Sequence, residues 1–125
     1  MPVQIYQDKG VMFEVFFGNI SLIDLQMAIQ AKNAILPSYL LSDFSEAIFE
    51  VPLEVLNQVV EEDQRRQDIE KYAIVVKDAS CNNYGNARMY QYLSEGLKWE
   101  TRIFFEKESA VGWLQGHLSA AVSPF

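Results

Sequence analysis

Tyr72-Ala-Ile-Val-Val76 is an unbroken apolar run of strand length. A strand that is apolar on both faces belongs inside a parallel sheet, with helices covering it above and below. Parallel neighbours need crossover connections, so the rest of the chain must alternate strand with helix. It does.

Val3-Gln-Ile-Tyr6 alternates like a half-buried strand, and Gln7-Asp-Lys-Gly10 supplies turn residues. Val11 to Phe17 follows as a strand apolar on nearly both faces, so the two runs form an antiparallel hairpin. Gly18-Asn-Ile-Ser21 ends it. Ser21 is a good N-cap with Asp24 three residues on, and the first helix is expected to run to about Asn33. Its stripe is Leu22, Leu25 and Ile29, with Ile23 and Met27 beside them. Pro37 restarts the chain, and Tyr39-Leu-Leu41 is the next strand, closing on a turn that carries Asp43 and Ser45. Pro52 suits the first turn of a second helix. Leu53, Leu56 and Val60 form its buried face, flanked by Val55 and Val59. Its charged end pairs Glu61 with Arg65 and Glu62 with Arg66, in the favourable i,i+4 order of a solvated face. After Tyr72–Val76 come the loop Asp78-Ala-Ser-Cys-Asn-Asn83 and a third helix from about Asn83 or Tyr84. That helix buries Ala87, Tyr90 and Leu93, with Gly96 at its left-handed end. Thr101-Arg-Ile-Phe-Phe105 is the last strand. The fourth helix opens at Glu106 with the stripe Ala110, Trp113, Leu114 and Leu118, and Ser123-Pro-Phe125 is expected to fray.

The order is ββαβαβαβα, an α/β fold with a mostly parallel five-stranded sheet and an N-terminal antiparallel hairpin. The 125 residues carry no linker or repeat, so one domain over 1–125 is expected. The net charge is −7 with no Lys/Arg cluster, which excludes nucleic acid as an expected partner, since phosphates need grouped cations. One cysteine, Cys81, excludes an internal disulfide and any multi-cysteine metal site. The start, Met-Pro-Val-Gln-Ile-Tyr-Gln-Asp, shows neither basic nor long apolar export regions. No apolar run approaches the roughly 20 residues of a membrane span. A cytoplasmic setting with no transmembrane segment is the expectation.

Catalysis finds few parts here. Cys81 and the single histidine, His117, lie far apart in sequence and lack a third group to orient them. Consecutive Glu61, Glu62 and Asp63 point in different directions around a helix, so they do not make a metal site. No phosphate-binding glycine pattern includes Gly10 or Gly85. No catalytic residue, metal ligand or cofactor is therefore expected. What remains is a polar set at the carboxyl ends of two strands, where open α/β sheets collect ligands. Its members are Asp43 and Ser45, then Asp78, then Tyr84 and Arg88 one helical turn apart. One reading makes them caps and turn residues, with Arg88 paired to Asp43 or Asp78. The other makes them a polar-headed binding site above an apolar pocket.

Across essentially the whole chain the sequence resembles the SpoIIAA-like family, in the branch grouped as STAS/SEC14-type domains. The landmarks are Leu41-Ser-Asp-Phe-Ser45, Ala73-Ile-Val-Val76, Tyr84-Gly-Asn-Ala-Arg-Met-Tyr90, and Arg102-Ile-Phe-Phe with Ala110-Val-Gly-Trp-Leu114. The resemblance implies five strands whose parallel members follow one another in order. Anti-sigma-factor antagonists of the wider family carry an acceptor serine at the start of the second helix. The matching positions here, Glu50-Val-Pro-Leu53, hold no hydroxyl, and Ser45 falls earlier at a serine that is not the acceptor.

A non-enzymatic binding or regulatory module with a protein partner is the leading expectation. The alternative is an apolar-ligand or lipid carrier, with Tyr39, Phe44 and Tyr84 lining a cavity and Arg88 meeting an anionic head near Asp43. An enzyme using Asp43 or Cys81 is the third reading. A homodimer is also expected, because the short opening strand is an undefended edge. Some of Phe13, Phe16, Phe17, Tyr92 and Trp99 are expected at the surface.

Overall fold

The structure is a computed structural model describing residues 3–33, 38–48, 53–64, 69–97 and 99–116. Its elements are β1 (Val3–Asp8), β2 (Val11–Asn19), α1 (Leu22–Asn33), β3 (Tyr39–Ile48), α2 (Leu53–Gln64), β4 (Lys71–Val75), α3 (Asn82–Leu93), β5 (Glu100–Phe104) and α4 (Lys107–Gln115). The strands lie in the order β1-β2-β3-β4-β5. β1 is antiparallel to β2, and every later pair is parallel. The expected topology is therefore the observed one. Lys9 and Gly10 both take positive φ, 52° and 82°, which is the two-residue turn whose twist matches a hairpin.

Alternate residues feed two layers. Val11, Phe13, Leu41, Ala73 and Val75 meet Ala110, Trp113 and Leu114 of α4 on one face. On the other, Met12, Phe16, Leu40, Tyr72 and Ile74 pack against α1, α2 and α3. Ser21 and Asp24 cap α1 reciprocally: Ser21 N donates to Asp24 Oδ2 at 3.0 Å and Asp24 N to Ser21 Oγ at 3.2 Å. The buried stripe of α1 is narrower than the sequence pattern. Leu25 and Ala28 are buried and Ile29 half-buried, whereas Leu22, Ile23 and Met27 face solvent. The methyl of Ala28 lets the backbone approach the sheet, so contact centres on the 25-28-29 row. In α2, Leu56 and Val60 are buried as expected. Pro37, Pro52, Arg65, Arg66, His117, Leu118 and Ser123–Phe125 lie outside the described residues.

The main departure is β3. Asp43 and Ser45 were expected in a closing turn, but the strand continues through them to Ile48. The long β2 supplies the reason, pairing Phe17, Gly18 and Asn19 with Glu46, Ala47 and Ile48. Between Val15–Asp43 and Phe17–Glu46, β3 spends one more residue than β2, so it bulges at Phe44-Ser45. β4 follows β3 only as far as the Asp43–Val75 pair. Beyond it, the Asn83 side chain donates to the carbonyls of Phe44 at 3.1 Å and Ala47 at 2.8 Å, tying the start of α3 to the strand extension.

Candidate functional site

The bulge and the loop after β4 carry the same local device. Asp43 Oδ1 accepts from Ser45 N at 2.9 Å and Ser45 Oγ at 2.7 Å. Asp78 Oδ1 accepts from Ser80 N at 2.9 Å and Ser80 Oγ at 2.7 Å. Each is an aspartate binding its own chain two residues on, the chemistry that makes such residues turn formers. The copies differ in setting. Asp43 is buried in the sheet, and Asp78 stands in solvent. The Ser80 hydroxyl, and then its backbone N–H, hold the Asp78 carboxyl below its ordinary range by favouring the charged form. Cys81 Sγ donates to the Asp78 carbonyl at 3.0 Å just before α3.

Tyr84 and Arg88 meet on α3 as their spacing requires. Arg88 Nη1 donates to the Tyr84 hydroxyl at 3.3 Å, with the guanidinium 6.0 Å from the ring centre. Arg88 is exposed, and among the described residues it pairs with neither Asp43 nor Asp78. The expected cross-rim ion pair gives way to the shorter-range alternative, because each carboxylate already has a serine two residues away. The five sequence-selected residues thus form two local pairs, Asp43 with Ser45 and Tyr84 with Arg88, and Asp78 pairs instead with Ser80, so they are not one converging set.

A more concentrated polar group lies where the sequence pattern did not point. Met12, Glu14 and Phe16 alternate on the face of β2 under α1, α2 and α3, so Glu14 occupies a core position and is 2% exposed. Across the sheet it sits opposite Ser42 of β3. Ser42 Oγ donates to Glu14 Oε1 at 2.5 Å, and the Tyr72 hydroxyl donates to Ser42 Oγ at 2.7 Å. Tyr72 is two residue pairs away on β4, beside Leu40. The relay runs Tyr72 to Ser42 to Glu14, so the carboxylate is its accepting end. Beside it is a cavity of about 40 Å³ lined by Glu14, Phe16, Phe44, Tyr72, Asn86 and Tyr90 among others. A signal for this site does exist in the sequence. Glu14 is the lone charge in the Val11–Phe17 run, in phase with Met12 and Phe16.

The strand order, the antiparallel first pair and the four helices define the SpoIIAA-like fold. No protein-family model matches the chain, and no curated protein does. Among solved structures it is similar to an uncharacterized protein with a SpoIIAA-like fold from Shewanella loihica. Identity there is 15% and the TM-score 0.60, over 90% of this chain and 91% of that one. It is also similar to an anti-sigma factor antagonist from Mycobacterium paratuberculosis, at 14% identity and TM-score 0.64 over 90% and 92% of the two chains. Likeness at such identity is a likeness of fold. No helix among the described residues is long and apolar enough to cross a membrane.

Proposed function

We propose that the chain, one domain over residues 1–125, is a small non-enzymatic binding or regulatory module that engages a protein partner without a phospho-acceptor serine opening its second helix. The observation that carries this reading is the commitment of the rim side chains to one another. Asp43 is held by Ser45, Asp78 by Ser80 and Arg88 by Tyr84, an arrangement suited to shaping a surface. Nucleophilic chemistry needs a base within hydrogen-bond reach of the nucleophile, and Cys81 spends its thiol on a backbone carbonyl. The Mycobacterium paratuberculosis neighbour, an anti-sigma factor antagonist, supports a protein as the partner class. The segment Glu50–Leu53 has no hydroxyl to phosphorylate.

The carrier reading, with an anionic head near Asp43 and Arg88, is weighed by volume. Sites for drug-sized ligands enclose about 300–1,000 Å³, and the cavity under the helices is about 40 Å³. Its polar lining includes Glu14, Asn83 and Asn86, with no lysine or arginine among its described residues to meet an anionic head. Native mass spectrometry of protein purified without denaturation tests the choice. The expected result is the 14.3 kDa chain, or a whole multiple of it, with no added mass. A retained fatty acid or lipid overturns the module in favour of the carrier. Stoichiometric phosphate on Ser45 in cell extracts would restore a phospho-switch.

A symmetric homodimer belongs to the same proposal. β1 is an edge strand with no lysine or proline between Val3 and Gln7. Of the aromatics expected at the surface, Phe17 and Tyr92 are exposed, whereas Phe13, Phe16 and Trp99 are buried. Light scattering that reports a mass near 14.3 kDa at micromolar concentration would remove the dimer.

A further inference from the structure

We propose that the cavity beside Glu14 is a binding site for a small alkylammonium ion, with the Glu14 carboxylate as its anionic floor. Three observations point the same way. First, Glu14 is the accepting end of the relay from Tyr72 through Ser42, and a carboxylate at the cavity wall favours a ligand that donates. A cationic donor gains most, since charge-assisted hydrogen bonds are roughly twice as strong as neutral ones.

Second, the remaining wall, apart from Asn83 and Asn86, suits a cation with an apolar tail. Phe16 and Phe44 stack with ring centres 4.5 Å apart, Tyr72 and Tyr90 meet edge to face at 5.2 Å, and all four rings line the space. Aromatic walls attract ammonium groups through the ring quadrupole while accommodating methyl and methylene groups. Third, the size is selective. One water needs roughly 10–15 Å³ of such space, so the cavity of about 40 Å³ takes a ligand of about three heavy atoms. Residues of α1, α2 and α3 all contribute to the wall, Leu25, Leu56 and Ala87 among them, so the occupant would bridge the three helices. The inference stands independently of the protein-partner reading.

Ethylammonium has the right charge and three heavy atoms, and ethanol is its neutral counterpart. The test follows the backbone amides of Glu14 and Ser42 by NMR while the ¹⁵N-labelled chain is titrated with ethylammonium chloride. Ethanol, and sodium chloride at matched ionic strength, are titrated in parallel. The expected result is a saturable shift with ethylammonium and a dissociation constant of about a millimolar, near the ceiling for so small a ligand. Ethanol should bind at least about tenfold more weakly, and sodium chloride should give no saturable shift. Glu14→Gln, which keeps the shape and removes the charge, should weaken ethylammonium by about tenfold or more. Absence of saturation, equal binding of ethanol, or unchanged affinity in a folded Glu14→Gln variant would each overturn the proposal. If that variant does not fold, the comparison of ethylammonium with ethanol on the native chain decides the matter alone.

Discussion

The two faces of the sheet are made from alternate residues of the same strands, yet they are built to different specifications. Under α4 the contacts are mostly apolar, with Val11, Leu41, Ala73 and Val75 against Ala110 and Leu114, and the buried Asp43 stands at the carboxyl end of the row, bonded to its own Ser45. Under α1, α2 and α3 the corresponding row places Glu14 beside Ser42, with a cavity next to them. Burial is comparable, since Leu41 and Ser42 are both fully enclosed. One face therefore gains its stability from dense dispersion contacts. The other gives up some of that packing to hold an oriented polar relay, an arrangement that carries a cost unless every member is bonded. A face that keeps a carboxylate where a leucine would pack better is the place to look for binding.

Adjacent residues of β3 break or sharpen this comparison most directly. Leu41→Ala empties the α4 face and should cost about 2–5 kcal/mol in urea unfolding, the usual range for a buried leucine. Ser42→Ala, one residue away on the opposite face, cuts the relay in the middle. It removes one donor from the Glu14 carboxylate and one acceptor from the Tyr72 hydroxyl, and should cost about 1–3 kcal/mol. Tyr72→Phe removes only the outer donor and leaves the Ser42 to Glu14 bond intact, so about 0.5–1.5 kcal/mol is expected. The order Leu41, Ser42, Tyr72 is the prediction. A Ser42→Ala variant as stable as the parent would mean that the polar row is not a connected unit.

The sequence shows why one face was easier to read than the other. Short-range rules worked where local chemistry and tertiary packing agree, as in the Ser21–Asp24 cap, the Lys9-Gly10 turn and the strand–helix alternation that implied a mostly parallel sheet. At Asp43-Phe-Ser45 the local rule was right and the conclusion drawn from it was not. The aspartate does bind its serine two residues on, but the length of β2 draws the segment into the sheet as a bulge. Pairing with a strand some 30 residues away cannot be seen in a window of seven. Glu14 was hidden for a related reason. A single charge in an apolar run reads as an outward-facing residue until the phase of Met12 and Phe16 is fixed, and only the partners Ser42 and Tyr72 show why it is tolerated. Asp78 falls in the loop and Tyr84 and Arg88 on the helix where the sequence put them, whereas Asp43 and Ser45 lie within β3, and the pairing of all five depended on side-chain reach that spacing does not encode.

Arg88 gives a smaller test, at the rim. Its bond to Tyr84 is exposed, so Arg88→Ala should cost under about 1 kcal/mol in thermal or chemical unfolding. A loss of several kcal/mol would indicate a buried partner that the described residues do not include, and would return Arg88 to the cross-rim role the sequence suggested.

The twin Asp-x-Ser devices differ in setting, and the smallest expected effect belongs to the exposed copy. In the bulge, Asp43→Ala removes two short hydrogen bonds from a buried segment and should cost about 1–2 kcal/mol. Asp78 makes the same bonds in open solvent, so its contribution is best read from titration. Folding lowers its pKa because the Ser80 hydroxyl, and next the Ser80 N–H, favour the ionised carboxylate. The folded state therefore holds its proton less tightly than the unfolded chain. The stability this provides is complete above the ordinary aspartate range and is lost as pH falls through the lowered folded value. Carboxyl ¹³C NMR should place the Asp78 midpoint below that of an unstructured aspartate, and Ser80→Ala should move it back upward by removing the largest cause. A midpoint unmoved by Ser80→Ala would assign the shift to the backbone of the loop instead, leaving the serine no part in holding the turn ahead of α3.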